Sequence, residues 1–205
     1  MGLISFFKGL IIGLSIAAPV GPIGVLCIQR TLAKGRLAGL STGLGAATAD
    51  GIYGLIAGFG ITLISSFLIS QQTWIRLLGG IFLCYLGIST FISKPAEIAA
   101  TIEEGGLIGS YFSTLLLTLT NPMTIISFMG IFASLGSLTQ NNNYTSAAIL
   151  VLGVFLGSAL WWLMLSFIVS TLRSKFRPTE LKWINKLSGT IIVVFGLATL
   201  TTYFA

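Results

Sequence analysis

The side chain in this sequence best placed to do chemistry is the carboxylate of Asp50. It stands in GRLAGLSTGLGAATADGIYGLIAGF, Gly35 to Phe59, an apolar stretch rich in small residues and long enough to cross a bilayer. A lone charge near the bilayer midplane costs roughly 3 kcal/mol or more, so such residues face a protein interior or a watery cavity and serve a function. Two other places carry unusual backbone chemistry, Pro19-Val20-Gly21-Pro22 in the first apolar run and Thr120-Asn121-Pro122 in the fourth. Each proline lacks the N–H that would bond four residues back, so in the first run the carbonyls of Ser15 and Ala18 lose their helical partners. The helix is expected to kink or open there. Asn121 both donates and accepts, and Thr48 and Ser158 add hydroxyls. Tyr53, Trp161 and Trp162 stand where they pack the core or wall a cavity.

The elements that must position these groups are membrane spans. Of 205 residues, 55% are hydrophobic and 8% charged, with a mean hydropathy of +0.99, far from the roughly 25% charged content of soluble domains. The length accommodates about six spans of about 20 residues joined by short loops. Function therefore sits inside the membrane. A net charge of +6 does not point to nucleic acid, because the basic residues lie in short segments between apolar runs, where they fix orientation. Cys27 and Cys84 read as small buried hydrophobes. With no histidine and one intramembrane acid, ligands for a transition metal are too few, and neither a metal nor an organic cofactor is expected. The N-terminal segment is read as retained, not cleaved as a signal peptide, because its apolar sequence continues past Pro19 to Ile28.

Helix 1 is expected over about Ile4 to Ile28, followed by a basic loop with Arg30, Lys34 and Arg36. Helix 2 runs from about Gly35 to Phe67, and helix 3 from Trp74 to Ile92. Residues 94–106 hold Lys94, Glu97, Glu103 and Glu104 and read as a loop or surface helix. Helix 4 spans about Leu107 to Leu135 and is followed by the uncharged polar loop Thr139 to Thr145. Helix 5 covers Ser146 to Leu172, the basic loop Arg173 to Lys186 follows, and helix 6 runs from Leu187 to near the end. Basic residues crowd the connections after helices 1, 3 and 5, while the other side has only Lys8 and Arg76. The positive-inside rule then puts those loops in the cytoplasm and both termini outside.

An internal repeat sharpens this plan. Trp74-Ile75, Leu78, Gly80 and Gly87 recur at one constant offset as Trp183-Ile184, Leu187, Gly189 and Gly196. Gly21-Pro22 answers to Asn121-Pro122. Gly45, Ala49-Asp50 and Tyr53 answer to Gly153, Gly157-Ser158 and Trp161. Three spans per half force the second copy to enter the membrane from the opposite side. The expected fold is thus an all-α membrane protein, one transmembrane domain of six helices arranged as two inverted three-helix repeats, about 1–93 and about 107–205. Inverted repeats with broken helices in matching positions form a recurrent transporter plan, with the site near the midplane at the breaks.

The chain resembles the LysE/RhtB family of amino-acid exporters through APVGPIGVL in helix 1, GLGAATAD in helix 2, Tyr85-Leu86-Gly87, and LTNPMTI in helix 4. The resemblance covers essentially the whole chain. It implies six helices, a cytoplasmic-membrane location, export of amino acids or related small metabolites, and coupling to the proton gradient. The family commonly has Pro-Gly-Pro and a lysine after its Asn-Pro, where this chain has Pro19-Val20-Gly21-Pro22 and Met123.

On that reading an amino acid must exchange water for protein partners at both of its charges. Backbone N–H groups freed after Gly21-Pro22 and Asn121-Pro122 suit the carboxylate. Asp50 suits the ammonium and, by alternately holding substrate or proton, would make the protein an antiporter. Thr48, Asn121 and Ser158 complete the polar lining, with Tyr53 and Trp161 as walls. Two other readings compete: an inorganic-cation exporter using Asp50, Asn121 and freed carbonyls as ligands, and a passive pore or membrane scaffold. An enzyme is not expected, since no nucleophile-plus-base arrangement or phosphate loop is visible. Small-residue faces and the tryptophans Trp74 and Trp183 near span ends suggest a homodimer embedded in lipid.

Overall fold

Gly35 lets the chain reverse direction in a single residue. The computed structural model describes residues 2–19, 21–58, 70–92, 102–121, 124–125, 127–128, 144–173 and 178–204. In it helix α2 (Pro22–Lys34) stops at Gly35, whose φ of 95° lies in the left-handed region that favours glycine. Helix α3 (Arg36–Gly58) starts immediately. Carbonyls at the end of α2 have lost their helical partners, and Arg173 supplies replacements: its Nε donates to Leu32 O at 2.8 Å and its Nη2 to Ala33 O at 3.1 Å. The expected basic loop holding Arg30 and Lys34 is therefore corrected. Both residues are inside α2, and Gly35 alone makes the turn.

The first expected span, Ile4 to Ile28, is two helices. Helix α1 (Gly2–Ala17) and α2 are bent by 79° relative to one another. Pro22 occupies the first turn of α2, where its missing N–H is harmless. Gly21 caps it with extended backbone, and Val25 N–H donates to Gly21 O at 3.0 Å. A comparable restart follows helix α5 (Ile102–Leu119), where Ile125 N–H donates to Asn121 O at 3.2 Å. In both cases the residue before a proline accepts the first bond of the next helical turn.

Helices α4 (Gln72–Ile92), α6 (Tyr144–Arg173) and α7 (Pro178–Phe204) complete the described set. Helix α5 begins ahead of the expected Leu107 and changes direction at Gly106 (φ 50°), while α7 begins nine residues before Leu187, so the basic loop ahead of it is shorter than expected. The remainder of helix 2 to Phe67, residues 93–101 with Lys94 and Glu97, the stretch to Leu135 that includes Pro122 and Met123, most of the polar loop after Leu138, and residues 174–177 lie outside the described residues. No strand occurs among the described residues.

Three of the described helices are long and apolar enough to cross a membrane, or four if α1 and α2 form one bent span. Helix α3 does not qualify on apolarity, because Gly, Ala, Thr and Asp50 dilute it. Its surroundings explain why this is tolerable. It is packed against α2, α5 and α6, so it meets protein on several sides and needs no uniformly apolar surface.

Glycines set the spacing of this bundle. A Cβ at Gly9 would lie against Leu150 O, and one at Gly153 against Phe6 O, so α1 and α6 run parallel with backbones touching. Helix α3 crosses α6 antiparallel, with Gly43 at Trp162 and Gly54 at Val151 and Val154. Helices α4 and α7 are also antiparallel: a Cβ at Gly87 would be 2.9 Å from Gly189 O, and one at Gly196 3.0 Å from Gly80 O. Gln29 of α2 ties this outer pair to the rest, its Nε2 donating to Asn185 Oδ1 of α7 at 3.2 Å.

Gly9→Ala is expected to force α1 off α6 and destabilise the protein by about 1–3 kcal/mol. Gly109→Ala, where a Cβ meets nothing within 4 Å, leaves stability unchanged or slightly raised. The midpoint of thermal unfolding in detergent distinguishes them.

Candidate functional site

The close approach of α3 and α6 determines what Asp50 touches. Gly43 admits Trp162 of α6 on one side of it and Gly54 lies in contact with Val154 on the other, and Asp50 between them is 2% exposed. Ser158, 0% exposed, donates its hydroxyl to Asp50 Oδ2 at 2.6 Å. Trp162, one helical turn further along α6, donates Nε1 to Ser158 Oγ at 3.1 Å. The result is a relay, indole to hydroxyl to carboxylate, in which the serine both accepts and donates. Among the described residues no cation pairs with Asp50. A buried carboxylate with one neutral donor can hold a proton or receive an ammonium group.

The other residues singled out from the sequence divide between this site and its margins. Tyr53, one turn after Asp50, is 2% exposed, donates to Leu119 O at 2.6 Å and stacks on Phe128 with ring centroids 5.3 Å apart. It thereby connects the Asp50 helix to the end of α5, where Asn121 restarts the chain. Gly21 and Pro22 lie at the α1–α2 break. Ala17 and Ile23 on either side of that break belong to the same buried cluster as Ala46, Ala47 and Trp162. Trp161 is half-buried against the same cluster. Thr48 is elsewhere. Two residues from Asp50 it is turned about 200° around the helix, and its hydroxyl accepts from Tyr111 on α5 at 2.9 Å and donates to Leu44 O. Pro122 lies outside the described residues.

The structure separates the two tryptophans and gives Arg30 a place the sequence did not assign it. Trp162, and not Trp161, is the tryptophan bonded to Ser158. Arg30 does not lie in a loop. Its Nη1 donates to Thr42 Oγ1, Ser110 O and Thr114 Oγ1, and its Nη2 to Ser113 Oγ. A signal was available in the sequence, since Ser110, Ser113 and Thr114 are spaced to share one helix face. Beside the polar site, Leu40, Leu44, Leu156, Leu160 and Trp162 line an apolar groove of about 370 Å³ between α3 and α6. Among the described residues no three His, Cys, Asp or Glu side chains cluster as a metal site would require.

Comparison with known proteins adds a family. The family model for LysE type translocators matches residues 14–202. The chain is 30% identical over 196 residues to the "Putative amino acid efflux protein YcgF" of Bacillus subtilis (strain 168), covering 93% of this chain and 92% of that protein. It is 29% identical to the uncharacterized membrane protein YahN of Escherichia coli (strain K12), covering 83% of this chain and 77% of that one. It is 27% identical to YrhP, an uncharacterized membrane protein of Bacillus subtilis (strain 168), covering 85% and 88%. No solved structure gives a significant match.

Ser158→Ala would leave both the carboxylate of Asp50 and the indole N–H of Trp162 without their partner, a loss of about 1–3 kcal/mol in stability. Asp50→Asn keeps an acceptor for the serine and is expected to remain near the parent. Unfolding midpoints of the two purified variants check this ordering.

Proposed function

Because the chain belongs to the LysE type translocator family, we propose that it exports amino acids or related small zwitterionic metabolites across the cytoplasmic membrane, exchanging them for protons at Asp50. The family is one of transporters, and the helices make this a multi-pass membrane protein. The efflux reading of YcgF, which the chain covers almost completely, supports amino acids as the cargo.

Two inverted three-span halves are part of this proposal, and helix contacts favour them. If the halves exchange places, the parallel pair α1 and α6 corresponds to the pair α5 and α3, which is also parallel, with Gly45 beside Tyr111 O and Tyr53 bonded to Leu119 O. The antiparallel contacts Gly80 with Gly196 and Gly87 with Gly189 map onto one another. So do Gly43 with Trp162 and Gly54 with Val151. Asp50 and its sequence counterpart Ser158 touch directly at 2.6 Å, as residues on the exchange axis must. That contact carries the functional reading, because a group on the axis is shared by both halves and stays at the site while the halves rock about it.

In this mechanism the protonated carboxyl of Asp50 is the form exposed from outside, and it gives its proton up on the cytoplasmic side. The carboxylate then receives the substrate's ammonium. The backbone N–H groups that start the segments after Gly21 and Asn121 face the substrate's negative end. Arg173 bonds to the carbonyls of Leu32 and Ala33, which brings the basic ends of α2, α3 and α6 together, and the positive-inside rule makes that end cytoplasmic and the termini external.

Inverted membrane vesicles supplied with radiolabelled amino acids are expected to accumulate at least one of them, with the rate rising as the proton gradient is imposed. Asp50→Asn is expected to slow that uptake at least about tenfold, a barrier change of about 1.4 kcal/mol, and to abolish its response to pH. A variant as fast and as pH-dependent as the parent would show that the proton passes elsewhere.

A further inference from the structure

Besides Asp50, the charge held most closely by protein groups among the described residues is the guanidinium of Arg30. The residue as a whole is partly exposed, while its guanidinium is enclosed between α3 and α5. The partners that hold it are all uncharged: the hydroxyls of Thr42, Ser113 and Thr114 at 3.2, 2.9 and 2.9 Å, and the carbonyl of Ser110 at 3.0 Å. Among the described residues no carboxylate faces it. Three of the four bonds converge on Nη1. The side bearing Nε and the second hydrogen of Nη2 has no further acceptor among the described residues.

That arrangement is unusual for a purely structural arginine. An enclosed guanidinium ordinarily takes a carboxylate through a pair of parallel N–H donors, because the charge is otherwise uncompensated in a poorly polarisable medium. Here hydroxyls fix the plane and position of the group and, among the described residues, leave a donor edge without an acceptor, as in a site built to receive an anion. Its location fits the direction of traffic. Thr42, its contact on α3, precedes Asp50 by eight residues, roughly 12 Å along the axis, and lies toward the basic end of the bundle.

We propose that Arg30 is a binding residue for the carboxylate of the transported amino acid, engaged at a station nearer the basic end than Asp50. This rests on the exporter reading above and adds a second charge contact to it. The two charges of an α-amino acid flank a single carbon, so one small substrate does not span both stations. Arg30 takes the carboxylate first, and Asp50 takes the ammonium deeper in.

The test is competition in proteoliposomes. Uptake of the labelled amino acid that the parent transports best is inhibited in turn by the same unlabelled amino acid and by its carboxamide, which keeps the ammonium and loses the negative charge. Arg30→Lys retains charge and length but not the planar fork. Its affinity for the amino acid is expected to fall about tenfold or more, while inhibition by the carboxamide stays within about twofold of the parent. Equal losses for both inhibitors, or no loss for either, would overturn the proposal and leave the exporter reading standing. A parent that transports no amino acid would overturn both. Should Arg30→Lys fail to give a monodisperse protein, Ser113→Ala, which removes one positioning hydroxyl, is scored by the same ratio, with the amino acid again the more affected inhibitor.

Discussion

The bundle is organised around the burial of one carboxylate between α3 and α6. Asp50 keeps 2% of its surface exposed, a state that requires a hydrogen-bond donor at close range. Only a helix backbone pressed nearly against α3 can bring one, and the residues flanking the contact are those that allow it. Gly43 receives the side chain of Trp162, and Gly54 the side chain of Val154. Ser158 then donates to the carboxylate and accepts from Trp162. Insert a side chain at Gly43, where a Cβ would lie against Trp162 Cβ, and the serine recedes, so the charge chemistry of the site and the packing of the helices are one constraint.

The proline breaks answer a complementary need. A continuous helix presents no backbone N–H to a ligand, since each is bonded four residues back. Placing proline at the first position of a new helix exposes the N–H groups that follow at no cost from the missing donor. At the first break this coincides with a bend of 79°, and the residues around it join the buried cluster that holds Ala46 and Ala47 of the Asp50 helix. At the second, Asn121 accepts the restarting bond and Tyr53 holds the preceding carbonyl of Leu119. One acid and two helix starts are thereby gathered around α3. Under the proposed exchange of halves they occupy equivalent surroundings.

Which of these features could be read from the sequence follows from where their cause lies. Asp50, the two prolines and the small-residue face of α3 announce themselves because each costs free energy in lipid unless something repays it. The glycines Gly80, Gly87, Gly189 and Gly196 were legible for a similar reason, since they stand where the backbones of α4 and α7 touch. Arg30 was not legible. A basic residue near the end of an apolar run ordinarily sets orientation, and the groups that give Arg30 another role lie on α3 and α5, more than eighty residues away in the case of Ser113 and Thr114. Thr48 failed in the opposite way. Its nearness to Asp50 along the chain suggested a shared site, but helical rotation turns it to Tyr111. Loop lengths were overestimated where the helical pattern continued into charged sequence, as in α2 and at the start of α7.

Asp50 and Arg30 explain why the interior is polar in patches and not throughout. Placed in direct contact, a guanidinium and a carboxylate attract by about 4 kcal/mol at an effective dielectric constant near 20, and each would satisfy the other. Set roughly 12 Å apart along α3, the attraction falls to about 1.4 kcal/mol, too little to offset the burial of either. Hydroxyls make up part of the difference: Thr42, Ser113 and Thr114 at Arg30, and Ser158 at Asp50. Neutral partners stabilise a charge without cancelling it, so both groups retain a demand that a mobile ion can meet. Under the proposed transport cycle a zwitterion meets those demands with opposite ends and in sequence. In that proposed cycle, separation of the charges, not their mere presence, is what lets the site release what it binds.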